Sequence, residues 1–354
     1  MAEFYDWQQT FSYDADVTMV VGARGLGKTF GLRAQFVRDW KKYGYRFVEV
    51  CRFKNELSDV ADGYFEKVGK LPEFKDLDFK TDARYAYVCY RGDTNQRGKP
   101  DWKVIGYFVA MSESQKKKKK TFDKVRRIVM DEAIIDRNDR YHTYMRNEWE
   151  LLAGIVDTTS REREDTDCIK PRVYLLGNAC NIANPYFEHF RVSADIKFGY
   201  RWYGNKTFLL HYVDSSEYSR EKATGTVAGR MLAGTREGDV NISNEFVTVG
   251  TEFVARKPAR ARFMFAIVLN GRKYAIWVDE SEGLYYVCNK VPRNTHQPIY
   301  TLTRADSTVN YIAARRADRV LQTFVNMWYM GLMRYESVEV KTGFESVLEL
   351  FGIR

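Results

Sequence analysis

Gly22-Ala23-Arg24-Gly25-Leu26-Gly27-Lys28-Thr29 restricts what this chain can fold into more than any other segment, because it fits the phosphate-loop pattern G-x-x-x-x-G-K-[ST]. Its flanks give the match force. Val17-Thr18-Met19-Val20-Val21 reads as a buried strand, and Phe30, Leu32, Phe36, Val37 and Trp40 recur at helical spacing up to Tyr43, with Gly44 placed to close the helix. A strand, a glycine-rich turn and a helix N-terminus make an anion site, since the turn aims backbone N–H groups at phosphate oxygens and the helix dipole favours negative charge. Gly22, Gly25 and Gly27 allow the turn, Lys28 neutralises the outer phosphates, and the Thr29 hydroxyl can ligate Mg²⁺. The expected ligands are ATP and Mg²⁺.

Such a loop needs an acidic partner at the end of another buried strand, and Arg127-Ile128-Val129-Met130-Asp131-Glu132 supplies one. Asp131 would hold Mg²⁺ through water. Glu132, one position later, is the candidate general base, because P-loop enzymes that hydrolyse phosphate use a carboxylate there to polarise the attacking water. Arg172 to Gly177 is a further buried strand ending at Asn178, which is placed either to sense the γ-phosphate and orient water or to serve as a plain turn residue.

With 354 residues the chain exceeds one ordinary core. Residues 1–205 alternate strand and helix patterns, which predicts an α/β domain of the P-loop NTPase (ASCE) type with a mainly parallel sheet. The strands 85–90 and 102–110 read as a pair, and 145–156 as a helix after the acidic strand. Periodicity weakens over 206–247, a candidate linker with a helical stretch from Ser215 to Leu232. Residues 248–354 then read as a smaller α+β domain. Strands at 262–269, 273–278 and 283–288, joined by Asn270-Gly271 and a longer turn, should form an antiparallel meander, followed mostly by helix from Ala305 to Met333. That is the order of an RNase H-like domain.

Five cysteines, odd in number and without paired spacing, indicate neither a disulfide framework nor a zinc site. No apolar run approaches the ~18 residues of a membrane helix, so a soluble protein of a reducing compartment is expected, with no membrane partner. The net charge of +9 favours a polyanionic partner. The excess is concentrated, with 41 basic against 37 acidic residues over 1–250 but 15 against 10 over 251–354. Lys116, Lys117, Lys118, Lys119 and Lys120 form an unbroken run just before the acidic strand, where a loop can project towards a polymer such as nucleic acid.

Beyond the phosphate loop, the chain carries VCRFKNEL at 50–57, IVMDE at 128–132, LLGNACNIANPYF from Leu175 to Phe187, and the C-terminal segments FAIVLNG, WVDESEGL and YTLT. In these it resembles the DNA-packaging ATPases of phi29-like tailed bacteriophages, which are terminase-like motors. The resemblance implies an ATP-driven homo-oligomeric ring, a pentamer by family, that acts in the host cytoplasm at the portal of a preformed capsid and pumps double-stranded DNA inwards. Some members of that family also use a scaffold RNA. Ser160-Arg161-Glu162-Arg163-Glu164 matches the family's trans-acting arginine segment, so Arg161 or Arg163 is expected to complete a neighbour's site. By the same match Arg24 couples to nucleotide state and Lys54 faces DNA or the next subunit.

The C-terminal domain resembles the family's vestigial nuclease. A cleaving RNase H-like site needs acidic residues on its first strand for two metals, and 262–269 has none. Asp279, Glu280 and Glu282 read as a solvated turn, while Arg256, Lys257, Arg260, Arg262, Arg315, Arg316 and Arg319 suggest contacts to phosphates or to the portal. The alternative is a large terminase whose C-terminal domain cuts DNA. A phosphotransferase would have no use for Glu132 or the lysine run, and a structural collar subunit would retain nucleotide without turnover.

Overall fold

The chain enters through a short helix, α1 (Trp7–Ser12), capped by the Asp6 carboxylate accepting from the Gln8 N–H at 2.8 Å. It then forms β1 (Val17–Val21), buried at every residue. The computed structural model describes residues 5–113, 122–136, 142–145, 147–160, 169–182, 184–192, 196–232, 253–269, 271–304, 306–314 and 318–350. The chain divides into two compact units, one spanning Met1–Val192 and Ile196–Val247, the other beginning in the main at Thr248.

After the phosphate loop come α2 (Lys28–Tyr43), β2 (Arg46–Cys51), α3 (Leu57–Ala61), β3 (Leu77–Thr81), β4 (Tyr85–Tyr90), β5 (Lys103–Ala110) and β6 (Val125–Met130). The unit continues through α4 (Glu148–Ser160), β7 (Arg172–Gly177), α5 (Pro185–Phe190), β8 (Gly199–Tyr203), β9 (Phe208–Tyr212), α6 (Ser216–Gly225) and α7 (Val227–Leu232). Among the described residues the strands form one sheet in the order β3-β4-β5-β2-β6-β7-β1-β9-β8. The six central strands, β5 to β9 in that order, are parallel, and β3-β4-β5 and β9-β8 add antiparallel edges.

Parallel sheets are covered on both faces, which is why these strands are nearly continuous apolar runs. Alternation then sorts each strand between two cores. Met19, Val48, Ile128 and Leu175 pack on one face with Leu152 and Ile155 of α4. Val20, Phe47, Val129 and Leu176 pack on the other with Leu32, Phe36 and Val37 of α2. Each such side chain contributes about 1.5–3 kcal/mol by leaving water. α2 ends where its spacing predicts, with Gly44 at φ 68° and its N–H returning to the Trp40 carbonyl.

Three expectations from sequence are corrected. A linker starting at 206 is overturned by β9, which pairs in parallel with β1 from Val17↔Phe208 to Val21↔Tyr212 inside the sheet. The strand-like run was legible, but a partner some 190 positions away was not. The stretch Ser215 to Leu232 is helical as expected, in two pieces, α6 and α7, that belong to the same unit as the sheet.

In the second unit β10 (Arg262–Leu269), β11 (Arg272–Asp279) and β12 (Leu284–Cys288) form the expected antiparallel meander. β13 (Ile299–Thr301) and β14 (Ile312–Ala313) follow, then α8 (Arg319–Tyr329), β15 (Met333–Tyr335) and α9 (Val338–Leu350). The order β14-β13-β10-β11-β12-β15, with β13 parallel to β10, is that of an RNase H-like sheet with one added edge strand. Phe324 of α8 and Phe344 of α9 pack on Phe265 and Ile267 beneath it.

Helix over most of Ala305 to Met333 is the second overturned expectation, since among the described residues it spans Arg319–Tyr329. Thr303 donates to the Asp306 carboxylate, which also accepts from the Gly271 N–H, so side chains hold this part of the chain in turns, and among the described residues helix begins behind the Asp318 cap. The third concerns the acidic turn. Asp279 is buried and paired with Arg260 at 2.8 Å, and Glu280 pairs with Arg262 at 2.8 Å, so two of the basic residues expected to meet phosphates neutralise acids of their own unit. Arg315 and Arg316 lie outside the described residues.

Candidate active site

The phosphate loop turns through Gly25 at φ 92° and Gly27 at φ 84°, a left-handed pair that only glycine adopts without strain, and Gly27 is the N-cap of α2. The Gly22 N–H donates to the Gly177 carbonyl at 3.1 Å, tying the loop to the end of β7. Lys28 is buried, its Nζ donating to the carbonyls of Gly22 at 2.6 Å and Ala23 at 2.9 Å, with Asn178 Oδ1 at 3.4 Å. A lysine held by two loop carbonyls is aimed across the cradle where phosphate oxygens would stand.

Thr29 Oγ1 donates to Asp131 Oδ2 at 2.8 Å, joining the loop to the end of β6. A hydroxyl and a carboxylate in contact at a helix N-terminus form an oxygen donor set of the kind Mg²⁺ takes alongside triphosphate oxygens and water, so these two residues fit the ion. Glu132 follows in a left-handed conformation, φ 50°, which costs a non-glycine residue on the order of 1 kcal/mol or more. Its N–H donates to Asp131 Oδ1 at 2.9 Å, and its side chain is exposed. The strained turn thus presents the Glu132 carboxylate beside the loop.

Arg52, at the end of β2, over-determines that turn. Its guanidinium donates to the carbonyls of Glu132 at 3.1 Å and Ala133 at 2.8 Å and forks onto Glu148 with Nε and Nη2 at 3.0 and 2.9 Å. Glu148 accepts further bonds from Tyr186 Oη at 2.6 Å and the Met145 N–H at 2.8 Å. A buried ion pair so fully hydrogen-bonded is rigid. Neither Arg52 nor Glu148 was singled out from sequence, since 96 positions separate them and no spacing rule joins them.

One cavity of about 1210 Å³ is lined by Arg24, Gly25, Gly27, Lys28 and Thr29 on one side and by Asp131, Glu132 and Asn178 on the other. Small-ligand sites run roughly 300–1,000 Å³, so there is room for a nucleotide and more. Lys67 and Leu71, from the segment after α3, and His142 also reach the wall. Lys54 lies outside it, paired with Glu113 at 3.3 Å. Lys116 to Lys120, Arg161 and Arg163 lie outside the described residues.

Two supports of the loop come from segments the sequence left mute. Tyr5 donates its backbone N–H to the Leu26 carbonyl at 3.0 Å, and Trp7 Nε1 donates to the Lys28 carbonyl at 2.9 Å. Tyr218 of α6 sits against Gly25, where an added Cβ would lie 2.5 Å from its hydroxyl. Burial pushes the Cys180 thiol in the cavity wall up to about 12.

The family model for podovirus DNA encapsidation protein (Gp16) matches residues 1–349. The DNA packaging protein of Bacillus phage phi29 is 30% identical over 340 residues, covering 96% of this chain and 95% of that protein. Its counterpart in Bacillus phage B103 is 29% identical over 341 residues, covering 94% and 97%. A chain in the solved bacteriophage phi29 genome packaging motor assembly superposes with TM-score 0.70 at 27% identity, covering 99% of this chain and all of that one. With a phosphate loop joined to its acidic strand and a family model matching residues 1–349, the chain belongs to the podovirus DNA encapsidation protein (Gp16) family.

Proposed function

We propose that this chain hydrolyses ATP to drive double-stranded DNA into a preformed phage capsid, as one copy of a homo-oligomeric ring, pentameric by family resemblance, seated at the portal in the host cytoplasm. Family membership supports the packaging role, and the observation that carries the chemistry is the Thr29–Asp131 contact in one cavity with Lys28 and Glu132.

In this reading Lys28 and the loop N–H groups bind the phosphates, and Glu132 takes a proton from the attacking water while Asn178 orients it. Mg²⁺, held by Thr29 and through water by Asp131, would supply charge neutralisation on the outer phosphates. Phosphoryl transfer builds charge that a guanidinium stabilises strongly, and Arg161 or Arg163 of an adjoining copy would provide it, with Arg24 responding to nucleotide state. Lys54 and the run Lys116 to Lys120 would grip DNA through its phosphates, without reading bases and with steep salt dependence. The second unit would not cut DNA. In support, β10 carries no acid and the Asp279 carboxylate is committed to Arg260.

Free phosphate release is measured with and without double-stranded DNA, on wild type and with Lys116 to Lys120 neutralised. Stimulation by DNA that weakens in the variant is expected, and DNA-independent turnover in both would defeat the motor reading. Rings mixed with Arg161→Ala or Arg163→Ala copies should lose activity faster than in proportion to the mutant share. Incubation with plasmid and Mn²⁺ should leave the DNA intact.

A further inference from the structure

Arg33, Glu49 and Tyr64 form a buried group that this chemistry leaves unused. In β2, Phe47, Glu49 and Cys51 alternate towards the face covered by α2, and Glu49 stands opposite Val129 of β6, two residues before Asp131. Glu49 is only 3% exposed among aromatic rings. A carboxylate there costs several kcal/mol unless partnered. Tyr64, itself 2% exposed, donates its hydroxyl to Glu49 Oε2. Burial, with the charge of Asp131 adding to it, pushes the Glu49 carboxyl up to about 7.

Arg33 lies one turn beyond Thr29 on the same face of α2. Its guanidinium stacks 3.8 Å above the Tyr64 ring and Nη1 donates to the Tyr64 carbonyl at 3.4 Å. Its Nε is buried without a hydrogen-bond partner among the described residues. The charges of Glu49 and Asp131 both act on it. Tyr64 precedes Lys67 by three residues, and Lys67 and Leu71 form part of the cavity wall. A cation stacked on a ring in the field of two carboxylates is drawn by the charge at either one.

We propose that Arg33, Glu49 and Tyr64 are positioning residues that link occupancy at Asp131 to closure of the 62–75 segment over the nucleotide. The inference rests on reading Asp131 as the cation-holding carboxylate. Positive charge arriving at Asp131 withdraws its attraction for Arg33, leaving the guanidinium to Glu49 and to Tyr64. Pressing on Tyr64 moves the chain that carries Lys67 and Leu71.

The test is amide hydrogen exchange of the full chain with a non-hydrolysable ATP analogue, in Mg²⁺ and in EDTA, for wild type, Arg33→Lys, Glu49→Gln and Tyr64→Phe. In wild type Mg²⁺ should slow exchange over 62–75 about tenfold beyond the analogue alone; in Arg33→Lys and Glu49→Gln that increment should fall to under about twofold, while analogue affinity in EDTA changes less than about threefold. Tyr64→Phe, which keeps the stack, should be intermediate. A merely structural role would lower protection equally with and without Mg²⁺. A wild-type increment in both Arg33→Lys and Glu49→Gln overturns the inference, as does bound analogue with no increment in wild type. Should Arg33→Lys fail to fold, the increment in Glu49→Gln alone decides. A wild type that binds no analogue in equilibrium dialysis instead defeats the nucleotide-site reading, and this inference with it.

Discussion

Arg52 forks onto Glu148 with both bonds within 3.0 Å, and the same guanidinium caps the carbonyls of Glu132 and Ala133. The pair therefore does two things at once, closing a buried charge and fixing the turn that displays Glu132. Removing one partner strands the other, which costs about 3–5 kcal/mol for a buried pair. Arg52→Met and Glu148→Gln should each shift the urea midpoint of the first unit accordingly, and the double variant should cost less than the sum. Where the fold survives, Glu148→Gln should lower turnover by about tenfold or more, because small displacements of a reacting group are expensive. Strictly additive losses would show that the two side chains are not a unit.

In the proposed mechanism Lys28 and Glu132 serve different steps, so they should fail differently. Lys28→Ala removes the buried charge between the loop carbonyls and Asn178, so nucleotide binding itself should weaken, read by equilibrium binding. Glu132→Gln keeps the shape of the turn and loses the proton acceptor, so it should bind ATP at near wild-type affinity with turnover down about 10²–10⁴-fold. Equal loss of binding in both would remove Glu132 from the role of base.

The N-terminal helix acts as a clamp on the phosphate loop. A Cβ at Gly31 would lie 2.7 Å from Trp7 Cδ1, so Gly31→Ala should push α1 away and cost about 1–3 kcal/mol as overpacking does. In a Trp7→Ala background the same substitution should cost markedly less, since the ring it meets is gone. Thermal melts of the four proteins decide, and a cost independent of Trp7 refutes the clamp.

His211 on β9 gives the clamp a pH dependence. Its Nδ1 bonds Tyr5 Oη at 2.8 Å and its ring stacks on Tyr200 at 3.7 Å. Burial lowers its pKa from 6.5 to about 4, so between these values the unfolded chain binds a proton that the native chain refuses. That contribution to stability is present above about 6.5 and is lost as pH falls towards 4. The stability difference between wild type and His211→Asn at about pH 7.5 should therefore shrink by about pH 4.5; a difference constant with pH would show that His211 does not titrate in this way.

What the sequence alone determined was local chemistry with a short range. The order of turn residues in 22–29 sets the left-handed glycines, the apolar spacing of 30–43 and Gly44 set α2, and the run 127–132 sets a buried strand ending in two acids. In each case the physical cause lies within a few residues, so it can be read there. The same is true of the β10 to β12 meander, whose pairs are neighbours in the chain.

Only the tertiary structure decided the rest, because those contacts join residues whose separation in sequence carries no signal. Phe208–Tyr212 has the composition of a strand anywhere, and pairing with β1 is what moved it from linker to sheet. Arg52 and Glu148, Tyr5 and Leu26, and Glu49 and Tyr64 are each ordinary in their own segments and meet only when parallel strands stack them. Burial then fixes their meaning, since a charge needs its partner in a dry interior and hardly needs one in water.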